Sequence, residues 1–122
     1  MHTHEKTVIL GNLEWTADTL LVDNPITLGG NTWKRARKMP IKDGYRIPTL
    51  DECKLLNEQI NLLDLHHLFF NLHRYCWANE TAEKTDETDK LIAYQIKERE
   101  LRTPSNVRLA RLRLVRNVYD QL

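Results

Sequence analysis

A ten-residue run at positions 43–52, DGYRIPTLDE, constrains the fold of this chain more than any other segment. Its first pair, Asp43-Gly44, predicts a turn, because glycine tolerates the positive φ that a tight reversal needs. Pro48 disfavours a helical conformation in the residue before it, so the residues after the turn should be extended. Thr49 is a natural N-cap, and Glu52 stands where it can complete a capping box. The run therefore predicts a turn, a short strand and an abrupt helix start.

The length of 122 residues predicts one domain over residues 1–122, and we expect residues 1–5 to be frayed. A net charge of +1 gives no global signature of a polyanion-binding protein. Cys53 and Cys76 lie in apolar-patterned segments, which predicts reduced, buried thiols rather than a disulfide framework. No segment approaches the roughly 18 apolar residues of a membrane helix, and the N-terminus has no apolar signal core. We therefore expect a cytoplasmic protein without a membrane partner.

Hydrophobic periodicity predicts an α+β order of elements. The clearest element is an amphipathic helix at 50–63, whose apolar face should consist of Leu50, Cys53, Leu56, Ile60 and Leu63. The apolar stretch 62–70 that follows is expected to be buried. The C-terminal segment fits a strand or a helix, and its alternation favours a strand at 111–117. The other predicted elements are strands at 6–10, 13–16, 19–22, 74–78 and 91–96 and a two-turn helix at 32–38.

Charge is unevenly distributed along the chain. Residues 79–89 are predicted to be a long exposed loop, and they contain a group of acidic side chains: Glu80, Glu83, Asp86, Glu87 and Asp89. The C-terminal segment contains a group of basic ones: Arg108, Arg111, Arg113 and Arg116. These groups are either solvated faces that partly neutralise one another or contact surfaces for an acidic partner or a nucleic acid.

No cluster of side chains predicts a metal site or a catalytic centre. His66, His67 and His73 precede Cys76, but zinc needs four convergent ligands, and only His73 and Cys76 form one imperfect pair. Cys53 falls on the apolar face of the predicted helix, where core packing is the simplest explanation. We therefore expect no cofactor and no enzymatic activity.

The order of these pieces resembles a C-type-lectin-like domain family of bacteria and phages whose function is unknown. The hallmark of that family is Gly-aromatic-Arg-Leu-Pro-Thr-x-x-Glu, which this chain matches with Gly44, Tyr45, Arg46, Ile47, Pro48, Thr49 and Glu52. Three tryptophans at positions expected in the core support the resemblance: Trp15, Trp33 and Trp77. The chain departs from the pattern because isoleucine replaces leucine at 47, Cys76 separates Tyr75 from Trp77, and the final strand is rich in arginine.

The resemblance implies an α+β domain in which two helices flank a small twisted antiparallel sheet and the N- and C-terminal strands pair side by side. We expect Arg46 to have a structural carboxylate partner and Tyr45 to be packed. Sugar-binding lectins of this fold hold calcium, and Trp77-Ala78-Asn79-Glu80 faintly matches their binding strand. One Asn-Glu pair cannot supply the roughly six to eight oxygen ligands that calcium needs.

The expected function is a non-enzymatic protein-binding module that uses the acidic residues of 80–89 and the arginines of 108–116. A phage or prophage accessory protein that binds and inhibits a host factor is the more specific expectation, and the complementary charged faces leave homodimerisation open. One alternative is a nucleic-acid-binding protein that uses the arginine-rich strand with the basic helix at 32–38. Another is a ligand- or receptor-binding lectin-like domain.

Overall fold

Helices and strands are mixed along the chain. The computed structural model describes residues 6–19, 32–38, 41, 43–79, 91–107 and 109–118. The helices are α1 (Trp33–Lys38) and α2 (Leu50–Leu63), and a 3₁₀ turn follows at His66–Leu68. The strands are β1 (Thr7–Leu10), β2 (Leu13–Thr16), β3 (Tyr75–Ala78), β4 (Ile92–Gln95), β5 (Glu100–Arg102) and β6 (Val115–Asn117). The predicted α+β class and both predicted helices are confirmed.

The strands form two three-stranded antiparallel sheets, whereas the resemblance implies a single sheet. Sheet one has the order β1-β2-β6, and sheet two has the order β3-β4-β5. The C-terminal strand pairs with β2, where Val115 lies opposite Trp15, and not with the N-terminal strand β1, beside which the resemblance places it. The segment before β6 pairs with sheet two through an isolated bridge between Arg111 and Cys76, and no continuous ladder among the described strands unites the two sheets.

A tight turn connects the first two strands, as the Gly11-Asn12 pair predicts. Gly11 has a φ of 65°, and Leu10 lies opposite Leu13 across the turn. This positive φ suits the twist of a two-residue hairpin and costs glycine little. The buried side chains of β2 include Leu13 and Trp15, which share one face of the strand as their spacing predicts.

Helix α2 covers a hydrophobic cluster that both sheets share. The buried members from the helix are Cys53, Leu56 and Ile60, those from sheet one are Leu13, Trp15 and Val115, and Ala78 and Tyr94 come from sheet two. A second cluster lies on the other face of sheet two, and its buried members include Ala36 of α1, Trp77 of β3 and Leu112 and Leu114 of the C-terminal segment. Sheet two is therefore covered on both faces. Trp33 is only partly buried, at the margin of the second cluster.

The run at 43–52 forms the predicted turn, but the short strand predicted after it is reduced to an isolated bridge at Arg46. Asp43 and Gly44 have φ values of 61° and 79°. Arg46 then forms an antiparallel bridge to Val115 of β6. This short contact places the start of α2 beside sheet one.

The predicted capping box begins α2. The Glu52 N–H donates to the Thr49 hydroxyl at 3.1 Å, and the Thr49 N–H donates to the Glu52 carboxylate at 2.9 Å. The two bonds satisfy backbone donors that a helix start otherwise leaves without partners. The helix begins at Leu50 and ends at Leu63, which are the boundaries that the periodicity predicts.

The described part of the C-terminal segment contains a strand and no helix, and that strand is shorter than the predicted 111–117. Several predictions fall outside the described residues: the frayed end at 1–5, the positions 20–22 of a third strand and the positions 80–89 of the acidic loop. Within the described ranges, no helix has the length and apolar character needed to cross a membrane.

Replacing Thr49 with alanine should lower the free energy of unfolding by about 1 kcal/mol, because an N-cap hydroxyl contributes about that much. Thr49→Ser keeps the hydroxyl and serves as the matched control, with most of the stability retained. Urea denaturation followed by tryptophan fluorescence measures both values. Equal stability of the alanine and serine variants would contradict a stabilising cap.

Candidate partner-binding surface

Arg113 lies in the interior, although it belongs to the arginine-rich segment, and it is only 1% exposed. Its guanidinium donates hydrogen bonds to the carbonyl oxygens of Thr16 at 3.0 Å, Ala17 at 2.7 Å and Phe70. The guanidinium carbon stands 5.7 Å from the centroid of the Phe69 ring. No described carboxylate lies within ion-pair distance of this group. Arg113 therefore ties the end of β2 to the chain after the 3₁₀ turn.

Arg116 is partly exposed and bonds within the chain. Its Nε donates to the Glu14 carboxylate at 2.9 Å, and its guanidinium carbon lies 4.6 Å from the centroid of the Tyr45 ring. A hydrogen bond from the Thr7 hydroxyl, together with Arg116, lowers the pKa of the Glu14 carboxyl despite partial desolvation. Arg116 thus links β6 to β2 and to the turn before α2.

The C-terminal arginines consequently do not form one exposed basic face. Arg113 is buried, Arg116 pairs with Glu14, and Arg111 donates to the Thr19 hydroxyl at 3.3 Å. Burial removes Arg113 from the expected contact surface, whereas the roles of Arg111 and Arg116 in partner binding stay predictions. Six other residues predicted to bind a partner lie outside the described residues, and their role stays a prediction: Glu80, Glu83, Asp86, Glu87, Asp89 and Arg108.

Arg46 has the carboxylate partner expected for it. Its guanidinium donates two hydrogen bonds to Glu52, at 2.7 and 2.8 Å, and a third to the Asn117 side chain at 2.9 Å. Burial disfavours the charged form of Glu52, but bonds from Arg46 and the Thr49 N–H outweigh this effect and lower the pKa of Glu52. The same ion pair raises the pKa of Arg46. These contacts couple the start of α2 to β6.

Both thiols are buried and free, as their sequence context predicts. Burial raises the pKa of Cys53 and of Cys76, and the Arg113 charge partly offsets this effect at both thiols. Neither thiol therefore has the lowered pKa that a reactive cysteine needs. Among the described residues, no three His, Cys, Asp or Glu side chains are grouped so that they could hold a metal ion.

The outward face of α2 carries exposed leucines. Leu55 and Leu62 are two helical turns apart and lie on one side of the helix, away from Cys53 and Ile60, which face the core. Leu62 is 82% exposed, and Leu55 is exposed as well. Glu58 lies between them on the same side and is also exposed.

The chain after α2 adds further exposed apolar side chains. The helix ends at Leu63, and Asp64 follows in the left-handed region with a φ of 56°. Leu63, Leu68 and Phe70 are all exposed, whereas Phe69 is buried. We name five residues the α2 apolar surface: Leu55, Leu62, Leu63, Leu68 and Phe70.

The α2 apolar surface corrects two predictions. The prediction that residues 62–70 are buried is wrong, because Phe69 alone is fully buried there. Leu63 also lies outside the buried face of α2, to which its spacing assigns it. Helix α2 ends at Leu63, and Asp64 takes the left-handed conformation, so the buried helix face does not continue beyond this point. The available sequence signal is an excess of apolar residues at 62–70, more than one helix face can bury.

Comparison with other proteins identifies no relative. The chain matches no protein-family model, no curated protein and no solved structure. The lectin-like resemblance therefore rests on the motif at 44–52 and on the order of elements.

Replacing Arg113 with methionine should lower the free energy of unfolding by about 3 kcal/mol or more, because buried carbonyl oxygens lose their donors. Arg116→Met is the matched control, and its loss should be about 1 kcal/mol, since a partly exposed ion pair contributes little. Denaturant titration measures both values. If both variants lose the same unfolding free energy, the hydrogen bonds of buried Arg113 do not stabilise the fold more than the exposed ion pair of Arg116.

Glu52 should make the fold sensitive to acid. Its pKa is lower in the folded protein than in the unfolded chain. Its stabilising contribution is therefore complete above the unfolded pKa and is lost as the pH falls through the folded pKa. The stability difference between the unmodified chain and Glu52→Gln should shrink as the pH falls below about 4.5. Urea midpoints measured across this range test the expectation, and a difference independent of pH would contradict it.

Proposed function

We propose that this chain is a non-enzymatic protein-binding module and that the α2 apolar surface is its contact site. The observation that carries the proposal is the 82% exposure of Leu62 on the outward face of α2. Five of the eight exposed large apolar side chains among the described residues belong to this surface. These five side chains all fall within residues 55–70, and exposed apolar side chains that group on a protein surface are typical of contact sites.

The charges beside the α2 apolar surface indicate the chemistry of the partner. Asp51, Glu58 and Asp64 are exposed on α2 or directly after it, against the single cation Lys54. A partner that presents apolar side chains flanked by Lys or Arg complements this arrangement. An amphipathic helix laid along α2 is the simplest such partner. The apolar contact would supply most of the affinity, and the carboxylates would favour the correct orientation.

We also propose that the scaffold is C-type-lectin-like. The two helices support this assignment, as do the capped motif at 44–52 and the union of the N-terminal hairpin with the C-terminal strand in one sheet. The division into two sheets departs from the expected pattern. The role of a phage or prophage accessory protein that inhibits a host factor belongs to this part of the proposal, because it rests on the resemblance.

Nucleic-acid binding is a second candidate, and the composition of α1 favours it. Lys34, Arg35 and Lys38 are exposed on this helix, which contains no acidic residue. Phosphate backbones are bound by several cations acting together. The C-terminal arginines bond within the fold, so α1 rather than the final strand is the element to test.

A display library of helical peptides tests the first candidate, because selection does not require the identity of the natural partner. Selection on the immobilised chain should enrich amphipathic peptides that carry Lys or Arg beside an apolar face. Leu62→Lys should weaken the selected peptides at least about tenfold, because it places an ammonium group in the apolar contact. Leu101→Lys, at an exposed apolar residue of β5, is the matched control and should bind normally. Peptides that bind the Leu62→Lys variant equally well would overturn the proposal.

Fluorescence anisotropy with a labelled oligonucleotide tests the second candidate. If α1 binds phosphates, the double variant Lys34→Glu, Arg35→Glu should lose binding at low salt, and log K for the unmodified chain should fall linearly with log salt. Leu62→Lys should leave this binding unchanged. Retention of the oligonucleotide by the double variant would remove α1 as the binding element.

A further inference from the structure

Among the described residues, no segment pairs with the outer edge of strand β1. Residues of an antiparallel pair alternate between those whose backbone N–H and C=O face the partner strand and those whose groups face away. The Ala17 N–H donates to the Lys6 carbonyl at 3.0 Å, so Lys6 belongs to the residues that face β2. The register of the hairpin continues this alternation, and the backbone groups of Thr7 and Ile9 therefore face outward. They have no backbone partner among the described residues.

The outer sides of two other strands are already in contact with the chain. Val115 of β6 exchanges backbone hydrogen bonds with Arg46, at 2.9 and 3.1 Å. Trp77 of β3 donates to the Arg111 carbonyl at 3.0 Å. Among the described strands, only β1 and β5 therefore have an outer edge without a backbone partner in the described part of the chain.

The edges of β1 and β5 differ in the features that prevent strands from pairing. Two of the three residues of β5 are charged, Glu100 and Arg102, and they form an ion pair. Strand β1 has the sequence Thr-Val-Ile-Leu, with no charge and no proline, and its pairing to β2 contains no bulge. Ile9 is 58% exposed. Edge strands are ordinarily protected by charges, prolines or bulges, so the unprotected edge of β1 indicates a partner strand.

We propose that β1 pairs with β1 of a second copy of this chain, antiparallel across a two-fold axis at Val8. Two β1-β2-β6 sheets then become one continuous six-stranded sheet. The second copy is the favoured occupant because the strand is self-complementary in this register. Thr7 lies opposite Ile9 of the second copy and exchanges two backbone hydrogen bonds with it. The two-fold axis generates the same two bonds between Ile9 and Thr7 of the second copy. Every outward-facing backbone group of Thr7 and Ile9 is used.

The side chains also suit this register. Thr7 lies beside Ile9 of the second copy on the exposed face, and the two Val8 side chains meet on the face toward the core. β-branched residues in such cross-strand pairs stabilise a sheet. Glu14, which accepts a hydrogen bond from the Thr7 hydroxyl at 2.7 Å, is paired with Arg116 of its own copy. Lys6 lies opposite Leu10 of the second copy, so like charges do not meet along the β1 edge. Nothing in this pairing uses the α2 apolar surface, so the inference does not depend on the proposed function.

The contact is small, and the dimer should therefore exchange with the monomer. Two strands of this length bury less than the roughly 800 Å² per partner of a stable complex. We expect a dissociation constant on the order of tens of micromolar. Sedimentation equilibrium of the full chain from about 5 µM to about 1 mM should show a reversible monomer–dimer equilibrium. A monomer throughout this range would overturn the proposal.

Ile9→Pro tests the edge itself. Proline at this position removes an outward-facing N–H and leaves the hydrogen bonds between β1 and β2 in place, as edge strands tolerate. Dimerisation should weaken at least tenfold. Ile9→Lys, which adds a charge to the edge, is the second variant and should act in the same direction. Leu62→Lys should leave the dimer unchanged. The proposal would be overturned if Leu62→Lys abolished dimerisation. It would also be overturned if both Ile9 variants dimerised as the unmodified chain does.

Disulfide crosslinking tests the register. Thr7→Cys and Ile9→Cys variants are mixed in equal amounts with oxidised glutathione. Their Cα atoms would lie about 5.5 Å apart in the dimer, within the range of a disulfide. The mixture should give a covalent heterodimer, and each variant alone should give little, because identical residues are offset along the strand. Cys53 and Cys76 are buried and common to both variants. Equal crosslinking of each variant alone, or a reversible dimer that the mixture does not crosslink, would overturn this register.

Discussion

The backbone at residues 46–50 is the joint on which both sheets and α2 depend. Arg46 bonds to Val115 of β6 and thereby reaches sheet one. The Asn79 N–H, at the end of β3, donates to the Pro48 carbonyl at 2.9 Å, and the Leu50 N–H donates to the Asn79 carbonyl at 2.7 Å. Residues 46–50 therefore contact both sheets, which share no continuous ladder among the described strands. The last of these residues, Leu50, is also the first residue of α2. The capping box and the Arg46–Glu52 ion pair hold these residues in the required conformation.

One charged side chain is buried in this fold and several large apolar side chains are exposed. Arg113 is buried and serves as a donor to carbonyl oxygens, while Leu62 is almost fully exposed. Backbone carbonyls near the end of β2 and after the 3₁₀ turn need donors, and the guanidinium supplies several at once. Arg113 and Arg116 therefore bond within the fold, whereas Leu55 and Leu62 on the outward face of α2 are exposed.

The two proposed contacts lie on different elements and would reinforce each other. Pairing of β1 strands extends sheet one, and it leaves the outward face of α2 unoccupied in each copy. A dimer would therefore display the α2 apolar surface twice. A partner with two suitable segments, or two partners held together, would then bind with greater avidity than the single surface allows. Dimerisation in the proposed arrangement would strengthen a modest contact of each single surface.

The sequence by itself determined the features that depend on near neighbours. These are the hairpin at Gly11-Asn12, the capping box of Thr49 and Glu52, and the boundaries of α2, because their donors, acceptors and dihedral preferences lie within a few residues. Tertiary structure alone decided that Arg113 is buried, that Leu62 is exposed and that the strands form two sheets. Burial depends on which distant segment covers a side chain, and sheet order depends on which distant strand supplies its hydrogen bonds. Neither is encoded in the local pattern of polar and apolar residues.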